Sequence, residues 1–124
     1  MKLTRARRDI IELFKNNSQP VSAEIIFEML DKNYDISTIY RNLNFFVENN
    51  LIRTIVFSDK VTYYYSGKGH FHYIYCVKCK KFEKINMCYE EKLAEYIEKN
   101  LEFKVLDHTL YFEGICKECR NGSV

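Results

Sequence analysis

Cys76 and Cys79 form a Cys-x-x-Cys pair, and Cys116 and Cys119 repeat that spacing near the C-terminus. Two such knuckles supply four thiolates, the set that a tetrahedral structural zinc takes. Thiolates favour zinc because it is a borderline-soft ion without redox chemistry of its own. The stretch between the pairs exceeds the ~15–20 residues of a zinc ribbon. It has room for strand, helix and strand, so the ion would tie together the ends of a lobe. One pair alone could be a redox dithiol; its repetition favours metal. The fifth cysteine, Cys88, reads as a small, partly buried hydrophobe.

The elements that must position these groups follow from periodicity. Residues 5–16 read as a helix with Ala6, Ile10, Leu13 and Phe14 on one face. Ser22 looks like an N-cap, followed by a helix whose buried stripe is Ile25, Ile26, Met29 and Leu30. A third helix starts near Ser37, with Ile39, Leu43, Phe46 and Val47 on one side and Ser37, Arg41, Asn44 and Glu48 on the other. Two β-rich runs, Ile52 to Phe57 and Val61 to Ser66, flank Ser58, Asp59 and Lys60, a hairpin signal. Helix, helix, helix, hairpin is the layout of a winged helix-turn-helix, with the third helix as its reader.

The segment Ser66-Gly67-Lys68-Gly69 marks a junction. Beyond it, Phe71 to Val77 and Phe82 to Met87 read as strands around the first Cys-x-x-Cys. Residues 89–100 read as a helix, and Phe103 to Phe112 as a longer strand. The expected fold is therefore α+β: a winged-helix DNA-binding domain over 1–66, then a small α/β metal-binding domain over 70–124 with a four-cysteine zinc site.

Composition bounds the function. The 124 residues are 47% hydrophobic, enough for a core or two small ones. The net charge of +2 is too mild to reveal a nucleic-acid partner by itself, although residues 1–8 hold Lys2, Arg5, Arg7 and Arg8 and no acid. That basic start runs into Asp9 and Glu12, so no secretory signal is expected. No apolar run approaches the ~18 residues of a membrane span. The expectation is a cytoplasmic protein without a membrane partner, where paired cysteines bind metal more often than each other. No nucleophile–base pair or phosphate loop is present, so no catalytic residue is assigned and no enzyme is expected.

An ordered set of motifs resembles the ferric-uptake-regulator family of bacterial metalloregulators over nearly the whole chain. It comprises Leu3-Thr4-x-x-Arg7, Val21-Ser22-Ala23-Glu24, Ser37-Thr38-Ile39-Tyr40-Arg41-Asn42-Leu43, His70-x-His72, both cysteine pairs and His108-x-Leu110-Tyr111-x-x-Gly114-x-Cys116. The resemblance implies a homodimer, with 70–124 as its dimerisation domain, that binds double-stranded DNA at an inverted-repeat operator when metal-loaded, and represses metal-homeostasis or oxidative-stress genes. It places Ser37, Thr38, Tyr40 and Arg41 on the DNA-reading helix and adds Arg7 to the DNA-binding set. Arginine at such a place can reach phosphate or grip guanine, and tyrosine can pack on a thymine methyl.

The resemblance also implies a second divalent metal, Fe2+, Zn2+ or Mn2+, at a regulatory site. His70, His72 and Glu83 occupy matching ligand positions, and Glu90 and His108 match two ligands of a further site in some members. Two departures stand out: Pro20 replaces a family histidine, and Tyr64 or Tyr63 stands where a carboxylate is usual. On a strand His70 and His72 face one side, with Glu83 on the partner strand. The first cysteine pair sits one residue closer to Glu83 than in the family, which predicts a bulge near Ile74 or Tyr75. The alternative is a DNA-binding regulator that keeps only the structural zinc and does not respond to metal.

Overall fold

The computed structural model describes residues 4–17, 19–66, 72–88 and 90–122. The chain divides into two compact units, Met1–Gly69 and His70–Val124.

The first unit opens with α1 (Arg5–Asn16), whose first turn is closed by Thr4: its Oγ1 accepts the Arg7 N–H at 3.2 Å. A two-residue strand β1 (Val21–Ser22) leads directly into α2 (Ala23–Met29), and Ser22 Oγ caps it by accepting the Ile25 N–H at 3.2 Å. α3 (Ile36–Glu48) follows a tight turn in which Asp31 and Lys32 both take positive φ. Ile10, Phe14, Ile26, Ile39, Leu43 and Phe46 meet in one core. The stripe expected on α2 is narrower than its spacing suggested, because Ile25 and Met29 lie exposed.

The hairpin pairs β2 (Ile52–Val56) with β3 (Thr62–Ser66) in antiparallel register, Thr54 opposite Tyr64. β1 adds itself to the other edge of β3, Val21 opposite Tyr64, giving the order β1-β3-β2. At the turn, Asp59 accepts from the Val61 N–H at 3.0 Å and from the Tyr63 hydroxyl at 2.9 Å, which fixes the tip. The result is three helices with a small three-stranded wing.

The second unit is built on β4 (His72–Cys76), the middle strand of the order β5-β4-β6. β5 (Phe82–Ile85) runs antiparallel to it, and β6 (Tyr111–Gly114) runs parallel. α4 (Glu90–Asn100) lies between β5 and β6 in the chain, and α5 (Lys117–Arg120) closes the described part. Strand alternation puts Tyr73 and Tyr75 on one face, where both rings pack against Phe82. His72, Ile74 and Cys76 take the other face.

Two expectations fail here. Residues 102–110 are neither helix nor strand, so the long strand read from Phe103 to Phe112 is in fact Tyr111–Gly114. The ladder on β4 begins at Tyr73 opposite Tyr111, and among the described residues the β-rich stretch before it pairs with no strand. Nor does β4 bulge at Ile74 or Tyr75. The ladder runs unbroken from His72–Ile85 to Tyr75–Phe82, so the shifted cysteine register is absorbed in the turn, where Lys80 takes φ 67°.

Arg7 belongs to the packing of the first unit. Its Nε donates to Asn42 Oδ1 at 2.8 Å, and its guanidinium lies 3.8 Å from the centre of the Phe45 ring. Asn42 is buried and also donates to the Thr38 carbonyl at 2.9 Å. Arg7 thus clamps α1 to α3. Removing it would strand a buried amide oxygen, which costs about 1–3 kcal/mol. Arg7→Ala should lower unfolding stability by that amount in urea titration, whereas Arg8→Ala, on the exposed side of α1, should stay within ~0.5 kcal/mol. Equal stabilities for the two variants would remove the clamp from the account.

Candidate metal centre and nucleic-acid interface

The first cysteine knuckle forms where β4 ends. The Cys76 N–H donates to the Lys81 carbonyl at 3.0 Å and the Lys80 N–H to the Cys76 carbonyl at 2.8 Å, closing a tight turn around Cys79. The parallel register sets Cys76 beside Gly114, and the Val77 N–H donates to the Gly114 carbonyl at 3.0 Å. Two residues on, Cys116 starts α5, and Cys119 is buried within it. The parallel pair β4–β6 therefore delivers the second knuckle to the first.

All four sulfurs lie within 4.8 Å of one another, with Cys79 Sγ and Cys116 Sγ 3.7 Å apart. A tetrahedral zinc with bonds near 2.3 Å sets its sulfurs ~3.8 Å apart. The cluster fits that ion in donor type, number and spacing. Cys76 Sγ accepts the Cys79 N–H at 3.5 Å and the Cys116 N–H at 3.4 Å. These two donors hold its thiol at a pKa of about 5, as thiolate at neutral pH. Burial, reinforced by the neighbouring thiols, pushes Cys119 up to about 12. Metal binding must therefore release protons from the cluster. On its rim, Lys81 and Glu118 pair at 3.2 Å across the two knuckles, an exposed contact that water and salt screen.

The other metal candidates sort differently from the sequence reading. His72 and His108 come together, and the third donor beside them is Cys88. Glu83 sits opposite Ile74 in the middle of β4, exposed, in a hollow shared with Cys76, Lys81 and Cys116. It does not join the two histidines. His70 lies outside the described residues; Glu90 starts α4, and its side chain also lies outside them. Pro20 is buried in the first unit and Tyr64 in that unit's core, so neither offers a replacement ligand. Cys88 was legible in one respect only: the pairing of His72 with Ile85 brings the end of β5, and the residues after it, next to His72.

On α3, Ser37, Arg41, Asn44 and Glu48 are exposed opposite the buried Ile39, Leu43 and Phe46. Thr38 is half-buried. Tyr40 is 39% exposed and donates its hydroxyl to Glu24 at 2.9 Å; that hydrogen bond raises its pKa. Arg41 presents a cation to solvent, whereas Arg7 is turned inward on Asn42 and Phe45.

The sequence profile of the Ferric uptake regulator family matches residues 1–113. The chain is similar to the ferric uptake regulation protein of Bacillus subtilis, 33% identical over 126 residues that cover 95% of this chain and 85% of that one. It resembles the structure of the ferric uptake regulator from Francisella tularensis with iron, at TM-score 0.82 and 28% identity over 97% of this chain and 95% of that chain. It also resembles the Helicobacter pylori ferric uptake regulator, whose structure is described as revealing three functional metal binding sites, at TM-score 0.83 and 27% identity over 97% of this chain and 83% of that one.

Cys79 is the informative cysteine to change, because it is exposed and its loss removes little packing. Purified protein should carry one zinc per chain that resists mild chelation. Cys79→Ser should lose it, and with it the order of the second unit, since a structural zinc contributes on the order of 10 kcal/mol to folding. Metal analysis with circular dichroism reads both; a zinc-free variant with unaltered structure would show that the cysteines are not a staple.

Proposed function

The chain belongs to the ferric uptake regulator family, and on that premise we propose that it works in the cytoplasm as a homodimeric, metal-dependent transcriptional repressor of metal-homeostasis or oxidative-stress genes. Residues 1–66 would bind DNA, and residues 70–124 would dimerise and hold metal. The four-cysteine cluster takes zinc as its structural ion. A second divalent ion, of the iron, zinc or manganese group, supplies the response.

The observation that carries the reading is α3 on its winged scaffold. A helix that buries Ile39, Leu43 and Phe46 and whose opposite face shows Ser37 and Arg41 is shaped to enter a major groove. A two-fold dimer would present two such helices to an inverted repeat. Dimerisation is supported by apolar surface on the second unit. Leu93, Tyr96, Leu101 and Phe103 are all more than half exposed, and Leu106 is 85% exposed. Patches of this kind mark protein interfaces. Among the described residues no helix is long and apolar enough to cross a membrane.

A second reading keeps the DNA-binding role and drops the metal response, leaving the cysteine zinc as a structural ion. Pro20, which has no side-chain donor, and Tyr64, whose burial in the core raises the pKa of its phenol, favour it. Operator affinity with and without added divalent metal separates the two.

Arg41→Ala should weaken operator binding by ~1–3 kcal/mol, roughly 5- to 150-fold at fixed salt, while the thermal melt and dimer mass stay unchanged. Electrophoretic mobility shift on an inverted repeat reads the affinity. Wild-type affinity in that variant would move the reading surface off α3.

A further inference from the structure

We propose that His72, Cys88 and His108 form a three-ligand site for a borderline-soft divalent ion of the zinc class, and that this is the ion the regulator reads. The second clause rests on the metal-responsive function above; the first stands on geometry alone.

His72 Nε2 lies 3.3 Å from His108 Nε2 and 3.1 Å from Cys88 Sγ, and Cys88 Sγ lies 3.6 Å from His108 Nε2. With Zn–N near 2.05 Å and Zn–S near 2.3 Å, a tetrahedral ion sets two nitrogens ~3.3 Å apart and nitrogen and sulfur ~3.6 Å apart. Two sides of the triangle match the face of such a tetrahedron; the third, from His72 Nε2 to Cys88 Sγ, is about 0.5 Å short and would open as the ion enters. Protons satisfy only two of its sides: the Cys88 S–H can donate to His72 Nε2 and the His108 Nε2–H to Cys88 Sγ, which leaves none between the two facing nitrogens. The Leu110 carbonyl, 3.0 Å from His72 Nδ1, can only accept, so His72 carries its proton there. Its Nε2 then offers one lone pair, and both other groups face it. An ion uses all three donors at once.

The hydrogen bond to Leu110 is also what a metal-bound histidine requires: it fixes the tautomer and aims Nε2 at the ion. It follows from the fold, since the β4–β6 ladder that begins at Tyr73 opposite Tyr111 sets His72 beside Leu110. His72 is buried, whereas Cys88 and His108 are half-buried, which leaves the fourth coordination position toward solvent. Binding releases the Cys88 thiol proton to solvent as the sulfur–metal bond forms. A thiolate turns preference away from oxygen-seeking ions and toward zinc.

All three ligands belong to the second unit. The ion would pin the segment after β5, through Cys88, and the irregular stretch 102–110, through His108, to the first residue of β4. That stretch carries the exposed Phe103 and Leu106. The metal would therefore act by ordering the apolar surface assigned to the dimer.

The test is titration of the full chain, cysteine zinc retained, with Co2+ alone. Wild type should take up one cobalt per chain and develop a near-ultraviolet thiolate-to-cobalt charge-transfer band. Cys88→Ser should lose the band and bind at least ~100-fold more weakly, beyond the ~10–100-fold typical of a group that only positions a ligand. His108→Ala should weaken uptake alike. Zinc assay at one per chain and an unchanged circular dichroism spectrum confirm that each variant is folded and that cobalt has not entered the four-cysteine cluster. No uptake by folded wild type would mean a hydrogen-bonded triad without metal. Uptake with no thiolate band, or uptake abolished by Glu83→Gln and not by Cys88→Ser, would overturn the ligand set in favour of an oxygen site. Operator binding is measured separately: affinity unchanged by site occupancy would overturn only the clause on regulation.

Discussion

The second unit depends on the pairing of β4 along both of its edges. The parallel ladder to β6 and the antiparallel ladder to β5 place every donor that the unit gathers. At one end the register sets Cys76 beside Gly114 and so brings Cys116 and Cys119 to the first knuckle. At the other it sets His72 opposite Ile85, next to the chain that leads to Cys88. A five-residue strand spans ~13 Å from its first residue to its last. His72 and Cys76 are four residues apart and so share a face, while Tyr73 and Tyr75 take the other with Phe82. One short strand thus separates polar ligation from apolar packing by alternation alone.

The two units are held together internally by different means. The first has a continuous core of aliphatic and aromatic side chains from three helices and the wing, and its buried polar side chains, Ser22 and Asn42, are both hydrogen-bonded. In the second, the described buried apolar residues are few: Tyr73, Tyr75, Phe82 and the cysteines Cys76 and Cys119. Small lobes with thin cores need a metal, a disulfide or a partner. Four converging thiols and a broad exposed apolar surface are what such a lobe would show if it used metal and partner together.

Much of this was legible in the sequence because its signals are local. The α1 stripe of Ala6, Ile10 and Phe14, the Ser22 cap, the wing hairpin and the paired cysteines are each set by spacing within a few residues. What escaped depends on contacts between distant parts of the chain. Arg7 reads as one more basic residue in a basic arm; its inward turn exists only because α1 crosses α3 at Asn42 and Phe45. The strand expected from Phe103 onward has the right composition, but only Tyr111–Gly114 joins the described ladder on β4. Cys88 has no periodic partner in the sequence, so nothing local raised it above a buried hydrophobe. Glu83 was placed by resemblance, and the unbroken ladder sets it opposite Ile74, two residues along β4 from His72, outside the group of His72, Cys88 and His108.

The clamp on α3 bears on how the protein meets a duplex. Arg7 grips Asn42 and Phe45 from α1, and Glu24 holds the Tyr40 hydroxyl from α2. Gripped from two neighbouring helices, α3 has little freedom to roll about its own axis. If α3 reads DNA as proposed, the pitch at which Arg41 would approach a base pair is set before any encounter, so little orientational entropy would be lost on docking. Fitting to imperfect sites must then come from deformation of the DNA, which makes discrimination sensitive to the stiffness of base steps that no side chain touches.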